Sequence, residues 1–203
     1  MKKNKKDIKL LIPAMFFGLL LLTACNSDYT PKPRGYFKID FPEKKYVQFD
    51  QPGYPYTFEL PEYATVIKDT TFFDEAPENP WWINIDFPQF RGRIHISYKS
   101  LLANDLSKMV NDAYSLTYKH TYKASAIEDS LMLTQHGVKG VFFRVAGDAA
   151  TANQFYLTDS TRHFLRGALY FDTTPNEDSL KPVNAFLLQD MLHLINSFQW
   201  VNK

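Results

Sequence analysis

The apolar residues of this chain change period three times. They recur at every second position, then at helical spacing, then at every second position again, and at helical spacing to the end. A two-residue period sends alternate side chains to opposite faces of a strand, whereas i, i+3, i+4, i+7 spacing builds one stripe on a helix. Phe37–Phe41, Tyr46–Phe49, Tyr56–Leu60, Tyr63–Ile67, Trp82–Phe87 and Arg93–Tyr98 read as strands, the last two joined as a hairpin through Pro88–Gly92. Leu102, Leu106, Met109, Ala113 and Leu116 or Thr117 then predict an amphipathic helix over Leu101–His120. Four more strands follow, at Ile127–Thr134, Gly140–Gly147, Ala152–Thr158 and Phe164–Phe171. Val183, Phe186, Leu187, Met191, Leu194, Ile195 and Phe198 form one face of a closing helix, with Pro182 in its first turn. Most of the twelve prolines lie in the first half, which favours extended strands and turns there. Strands, helix, strands, helix predicts an α+β fold: a mainly antiparallel sheet with two packed helices.

The first 24 residues belong to a different kind of segment. Met1–Lys6 carries four lysines, Leu10–Leu22 is apolar, and small residues lead into Cys25, the one cysteine of the chain. Thirteen apolar residues interrupted by Pro13 and Gly18 are short of the roughly 20 that a spanning helix needs, and suit a cleaved leader. Leu22-Thr23-Ala24-Cys25 resembles the lipobox of bacterial lipoproteins, in which the cysteine sulfur takes a diacylglyceryl group and cleavage just before it leaves Cys25 as the lipidated N-terminus. Two or more acyl chains anchor stably, where one gives marginal binding. The expected organisation is a leader over 1–24, a lipidated cysteine and extended proline-containing tether over 25–35, and a single globular α+β domain over 36–203. Loss of the leader's five lysines and one aspartate takes the net charge from +1 to −3, so no basic nucleic-acid footprint remains. With Cys25 acylated, no cysteine is left for a disulfide or a thiolate metal site.

Catalytic signatures are missing from the sequence. It holds no Gly-x-Ser-x-Gly elbow, Walker loop, dinucleotide fingerprint or His-Glu-x-x-His, and no two histidines are closer than 16 residues. The expectation is a protein that is not an enzyme, with no cofactor and no metal. The densest polar group is Asp159-Ser160-Thr161-Arg162-His163 with Arg166 beyond it. Asp159, Arg162, His163 and Arg166 form a candidate partner-binding patch, because guanidinium groups pair bidentately with carboxylates and other anions. The competing reading is a solvated hairpin tip with local turn hydrogen bonds. Of Trp81 and Trp82, alternation sends one to the core and leaves the other at the surface or under a loop. His95, Tyr98, Lys99, His120 and Lys123 bear acid–base groups that nothing in the sequence brings together.

Taken together, several segments resemble the GldD-type gliding motility lipoproteins of Bacteroidota. They are Pro31–Phe37 after the lipobox, Trp82–Ile85 followed by Ile94–Lys99, and above all Gln154–Phe171 with Pro175-Asn176 and Asp178-Ser179-Leu180 after it. The resemblance covers essentially the whole chain from Cys25 onward. The element spacing and the terminal helix also resemble the Mog1/PsbP-like architecture, a likeness that carries no function. It implies a non-enzymatic envelope component of the gliding apparatus, whose machinery is intertwined with type IX secretion. The partners it implies are the membrane, through the lipid on Cys25, and other gliding and secretion envelope proteins. Surface-exposed lipoproteins of this phylum tend to carry an acidic signal after the cysteine; Asn26-Ser27-Asp28 has one acid, with Lys32 and Arg34 soon after, which favours a periplasm-facing protein. Attachment is expected at the outer membrane, with the inner membrane as the alternative. A periplasmic ligand-binding lipoprotein for a lipid or glycan is the competing function, and it predicts a sizeable cavity with convergent polar groups. A hydrolase built on Asp159, Arg162 and His163 is a third.

Overall fold

Ten strands and two α-helices account for most of the described residues. The structure, a computed structural model, describes residues 35–70 and 77–201. The leader, Cys25 and the tether up to Arg34 lie outside the described residues, as do residues 71–76. Residues 39–203 make up one unit by their contacts, and the chain up to Lys38 makes up another. In order, the elements are β1 (Tyr46–Phe49), β2 (Tyr56–Pro61), β3 (Thr65–Lys68), β4 (Ile83–Phe87), β5 (Gly92–Ser100), α1 (Leu106–Tyr118), β6 (Ala124–Leu133), β7 (Lys139–Gly147), β8 (Asn153–Thr158), β9 (His163–Phe171), α2 (Glu177–Ser197) and β10 (Gln199–Trp200). Seven strands pair in the order β3-β4-β5-β9-β8-β7-β6, and a small second sheet has the order β1-β2-β10. Every pairing is antiparallel. The α+β class with a mainly antiparallel sheet and two helices is as the periodicity predicts.

Alternation divides the large sheet into two unlike faces. Ile83, Ile85 and Phe87 of β4, Ile94, Ile96 and Tyr98 of β5, and Leu165 and Leu169 of β9 share one buried cluster with Leu187, Met191, Leu194 and Ile195 of α2. Phe49, Phe58 and Leu60 of the small sheet complete that core. On the other face, Val141 and Phe143 of β7, Tyr156 of β8 and Phe164 of β9 bury Met109 and Ala113 of α1. Helix α1 therefore covers the β7–β9 half of that face, and the same face of β4 and β5 carries polar residues instead.

Both helices are capped as their sequences allow. The Asp105 side chain accepts from Lys108 N at 2.8 Å, and Asn176 accepts from Ser179 N at 2.8 Å, each satisfying an amide that has no partner inside the helix. Glu177 and Asp178 add negative charge at the N-terminal end of α2. Helix α1 is shorter than the spacing predicts, because Asp105 caps it and a tighter 3₁₀ turn over Lys119–Tyr122 ends it. Leu102 precedes the cap and is exposed, and the buried residue of the last turn is Thr117, whose hydroxyl bonds back to Ala113 O, rather than Leu116. Pro182 lies in the second turn of α2, one turn later than expected.

Two strand assignments differ from the sequence reading. Phe37–Phe41 forms no strand. Phe41 stacks instead on Phe186 of α2 at 4.4 Å, and the Asp40 carbonyl accepts from the Gln89 side chain rather than from a neighbouring strand. Strand β10 is two residues long, too short to show a period, and pairs with β2 through Gln199–Thr57 and Trp200–Tyr56. The two tryptophans are both covered. The indole of Trp82 is buried and donates to Tyr98 O at 2.7 Å, while half-buried Trp81 donates to Gly53 O at 2.8 Å and meets Tyr98 edge-on.

Candidate functional site

The β8–β9 turn places Asp159 at the centre of its own loop. One carboxylate oxygen accepts from the amides of Thr161, Arg162 and His163 at 3.0, 2.8 and 2.9 Å, and the other from the Thr161 hydroxyl. Partial burial opposes the charge on Asp159, but the three amide donors outweigh it and hold its carboxyl below the usual aspartate range. Ser160 takes a left-handed conformation to close the turn. Asp159 is thus consumed in shaping the tip. His163 is consumed as well: its Nδ1 shares a 2.7 Å hydrogen bond with the Tyr98 hydroxyl, and its ring stacks on Trp200. Burial lifts the Tyr98 hydroxyl to about 12. The Arg162 side chain is exposed, while its carbonyl ties the tip to Leu101 N at 2.8 Å.

Arg166 does not join this group. It follows His163 by three residues on β9 and points to the opposite face of the sheet, where Nη2 donates to Gln154 Oε1 of β8. Gln154 Oε1 also accepts from Thr117 of α1, so the guanidinium is braced against both the sheet and the helix. There it lines a cavity of about 810 Å³ at the C-terminal end of α1. Asn84, Arg93, His95 and Tyr170 form the floor with Arg166, and Lys68, Asp69, Lys119 and His120 stand around them. Antiparallel register explains the convergence. Asn84 of β4 pairs with His95 of β5, and His95 pairs with Ala168 of β9, which lies between Arg166 and Tyr170 on the same face.

The electrostatics of this basin are uneven. Arg93 is neutralised by Asp86 through bonds of 2.5 and 2.7 Å. No carboxylate of the described residues forms an ion pair with Arg166. Burial pulls its guanidinium below the usual arginine range, with the Tyr170 hydroxyl beside it acting the other way. Two polar atoms of the floor, Asn84 Oδ1 and His95 Nδ1, are buried without a hydrogen-bond partner. Of the acid–base groups noted in the sequence, the fold brings His95 and His120 into this basin. It sends Tyr98 to the opposite face and pairs Lys99 with Glu78 at 2.6 Å. Among the described residues no group of three or more His, Cys, Asp or Glu side chains could hold a metal ion.

A model of the family described as gliding motility lipoprotein GldD matches residues 26–200. The chain belongs to this family. No curated protein matches the chain in sequence. Among solved structures it is similar to the solution structure of cyanobacterial PsbP (CyanoP) from Synechocystis sp. PCC 6803, at 10% identity and a TM-score of 0.44, over 84% of this chain and 98% of that one. The family is one of lipoproteins, which associates this GldD-family chain with the cell envelope. Among the described residues no helix is long and apolar enough to cross a membrane.

The GldD-family lipoprotein carries three histidines held neutral by their surroundings. Burial is the main cause for each of His95, His120 and His163. Arg93 and Arg166 add to it at His95 against Asp69 and Asp86, Arg166 adds to it at His120, and at His163 Asp159 opposes it while Arg162 adds to it. All three values fall below 6.5, the value taken for the unfolded chain. The unfolded chain then binds more protons as the solution acidifies, so their contribution to stability is complete above pH 6.5 and is lost as pH falls through the depressed values. The melting temperature should decline from neutral pH into the acid range, and His120→Gln should make that decline shallower. A melting temperature that stays flat or rises on acidification would contradict the neutral assignments.

Proposed function

We propose that this lipoprotein is a membrane-anchored protein-interaction and assembly module of the gliding machinery, linked to type IX secretion. On this reading it works by binding rather than by catalysis. Cys25 carries the acyl chains, palmitate among them, and the domain faces the periplasm from the outer membrane. Family membership across residues 26–200 is the observation that carries the reading. The β8–β9 tip supports it, because the Asp159 bonds hold the exposed Arg162 guanidinium on a stiff mount at little entropic cost to a partner.

A photo-crosslinking residue at position 162, in cells otherwise wild type, tests the proposal. The expected adducts are envelope proteins of the gliding and secretion machinery, and deletion of the protein should impair both spreading and export of type IX cargo. No adduct at 162 combined with unchanged export in the deletion strain would overturn the interaction and secretion parts. A second reading, a ligand-binding lipoprotein for a lipid or glycan, is favoured by one observation, the cavity of about 810 Å³ with its convergent polar floor.

A further inference from the structure

We infer that the basin between β4, β5, β9 and the end of α1 is a binding site for a monocarboxylate bearing a short apolar chain, with Arg166 as the group that receives the carboxylate. The inference stands independently of the interaction role. Its first support is the charge balance. A guanidinium cannot shed its proton at physiological pH, so burying one without a counter-charge is costly. Arg166 is half-buried and braced by the neutral Gln154 Oε1, with the neutral Tyr170 hydroxyl beside it, whereas the neighbouring Arg93 is already paired with Asp86. Among the described residues Arg166 forms no ion pair, so its guanidinium can receive one negative charge. Asp69, which lines the same basin, disfavours a doubly charged phosphate.

The second support is the floor around it. Asn84 is buried with its carbonyl oxygen unpartnered, and the His95 ring beside it has an unpartnered Nδ1. Native interiors leave few such groups unsatisfied. His95 Nδ1, in the tautomer that carries its proton there, can donate to a carboxylate, whereas Asn84 Oδ1 accepts and needs a donor such as a bridging water. The Gln154–Thr117 bond fixes the guanidinium's neighbour from the far side, so the fork is positioned before anything binds. The third support is the rim. Lys68 and Lys119 attract an anion to the mouth, and Ile67 and Leu116, exposed at 45% and 40%, offer apolar surface to a short chain.

The test uses the full lipidated chain in lipid nanodiscs, with butyrate as probe and butyramide as its neutral isostere. Binding is read by ligand-observed NMR against empty nanodiscs. Butyrate should bind saturably, and butyramide at least about tenfold more weakly, the loss expected when a charged hydrogen bond is removed. Arg166→Met should weaken butyrate by a similar factor, and Lys119→Glu by about threefold through the field at the mouth. Lys139→Glu, on β7 outside the basin, should leave binding unchanged. Lys119 and Lys139 are both exposed, so this pair decides the matter even if Arg166→Met fails to fold. The inference is overturned if butyrate binds no better than to empty nanodiscs. Equal binding of the amide, or Lys119→Glu and Lys139→Glu weakening butyrate alike, would also overturn it.

Discussion

Asp190→Ala should lower the unfolding free energy by about 3 kcal/mol, the scale at which a buried charge loses its partner. Asp190 is 2% exposed on α2 and serves three donors from the segment before β4. Lys44 Nζ lies 2.8 Å from Oδ1, the Tyr46 hydroxyl donates to Oδ1 at 3.0 Å, and the Tyr63 hydroxyl donates to Oδ2 at 2.5 Å. Lys44 also sits 3.5 Å above the Phe186 ring and donates to Phe186 O at 2.8 Å. One carboxylate thus fastens the small sheet and its approach to the closing helix, and alanine strands all three donors. Asparagine keeps an acceptor for the tyrosines and should lose about half as much. Urea unfolding of both variants measures the difference, and an alanine variant as stable as wild type would show that the network adds nothing. The same tyrosines set an alkaline limit. Burial first, then Asp190, raises Tyr46 and Tyr63 above their ordinary value of 10.0, so stability is complete below pH 10.0 and falls above it as the unfolded chain ionises.

Phe155→Ala should cost about 3–5 kcal/mol, since the ring is wholly buried at the centre of the sheet. Its seat is Gly167 on β9, the Cα partner of Phe155, where an added Cβ would overlap the ring. Gly167→Ala should therefore cost about 1–3 kcal/mol by overpacking. The double variant should lose less than the sum, because the new methyl enters space the ring has left. Strict additivity in urea unfolding would mean that the glycine is there for another reason.

The periodic elements were legible in the sequence because a strand or helix with one buried face writes its period locally. β7, β8, β9 and α2 each alternate or repeat over enough residues to be read. Phe37–Phe41 alternates equally well and is not a strand, since alternation says only that a face is apolar, and Phe41 found an aromatic partner on α2 instead of a sheet edge. The site was harder to read. Asp159, Arg162 and His163 are close in sequence, yet the turn consumes two of the three, and strand alternation sends Arg166 to the other face. The basin needs Asn84, His95, His120 and Arg166 together. Their meeting depends on β5 pairing with β9 across more than sixty residues, and on where α1 stops. The available local signal was the run of polar residues at alternate positions of β4 and β5, which marks an uncovered sheet face without saying what shares it.

Gliding is expected to need this GldD-family chain and the acyl chains on its Cys25. Single-cell movement and colony spreading in a deletion strain, complemented with wild type or with Cys25→Ser, tests it most directly. Deletion should abolish movement, wild type should restore it, and the serine variant, expressed at equal level but unable to take acyl chains, should not. Full movement with the serine variant would contradict the anchored role, and normal movement in the deletion strain would contradict the gliding role itself.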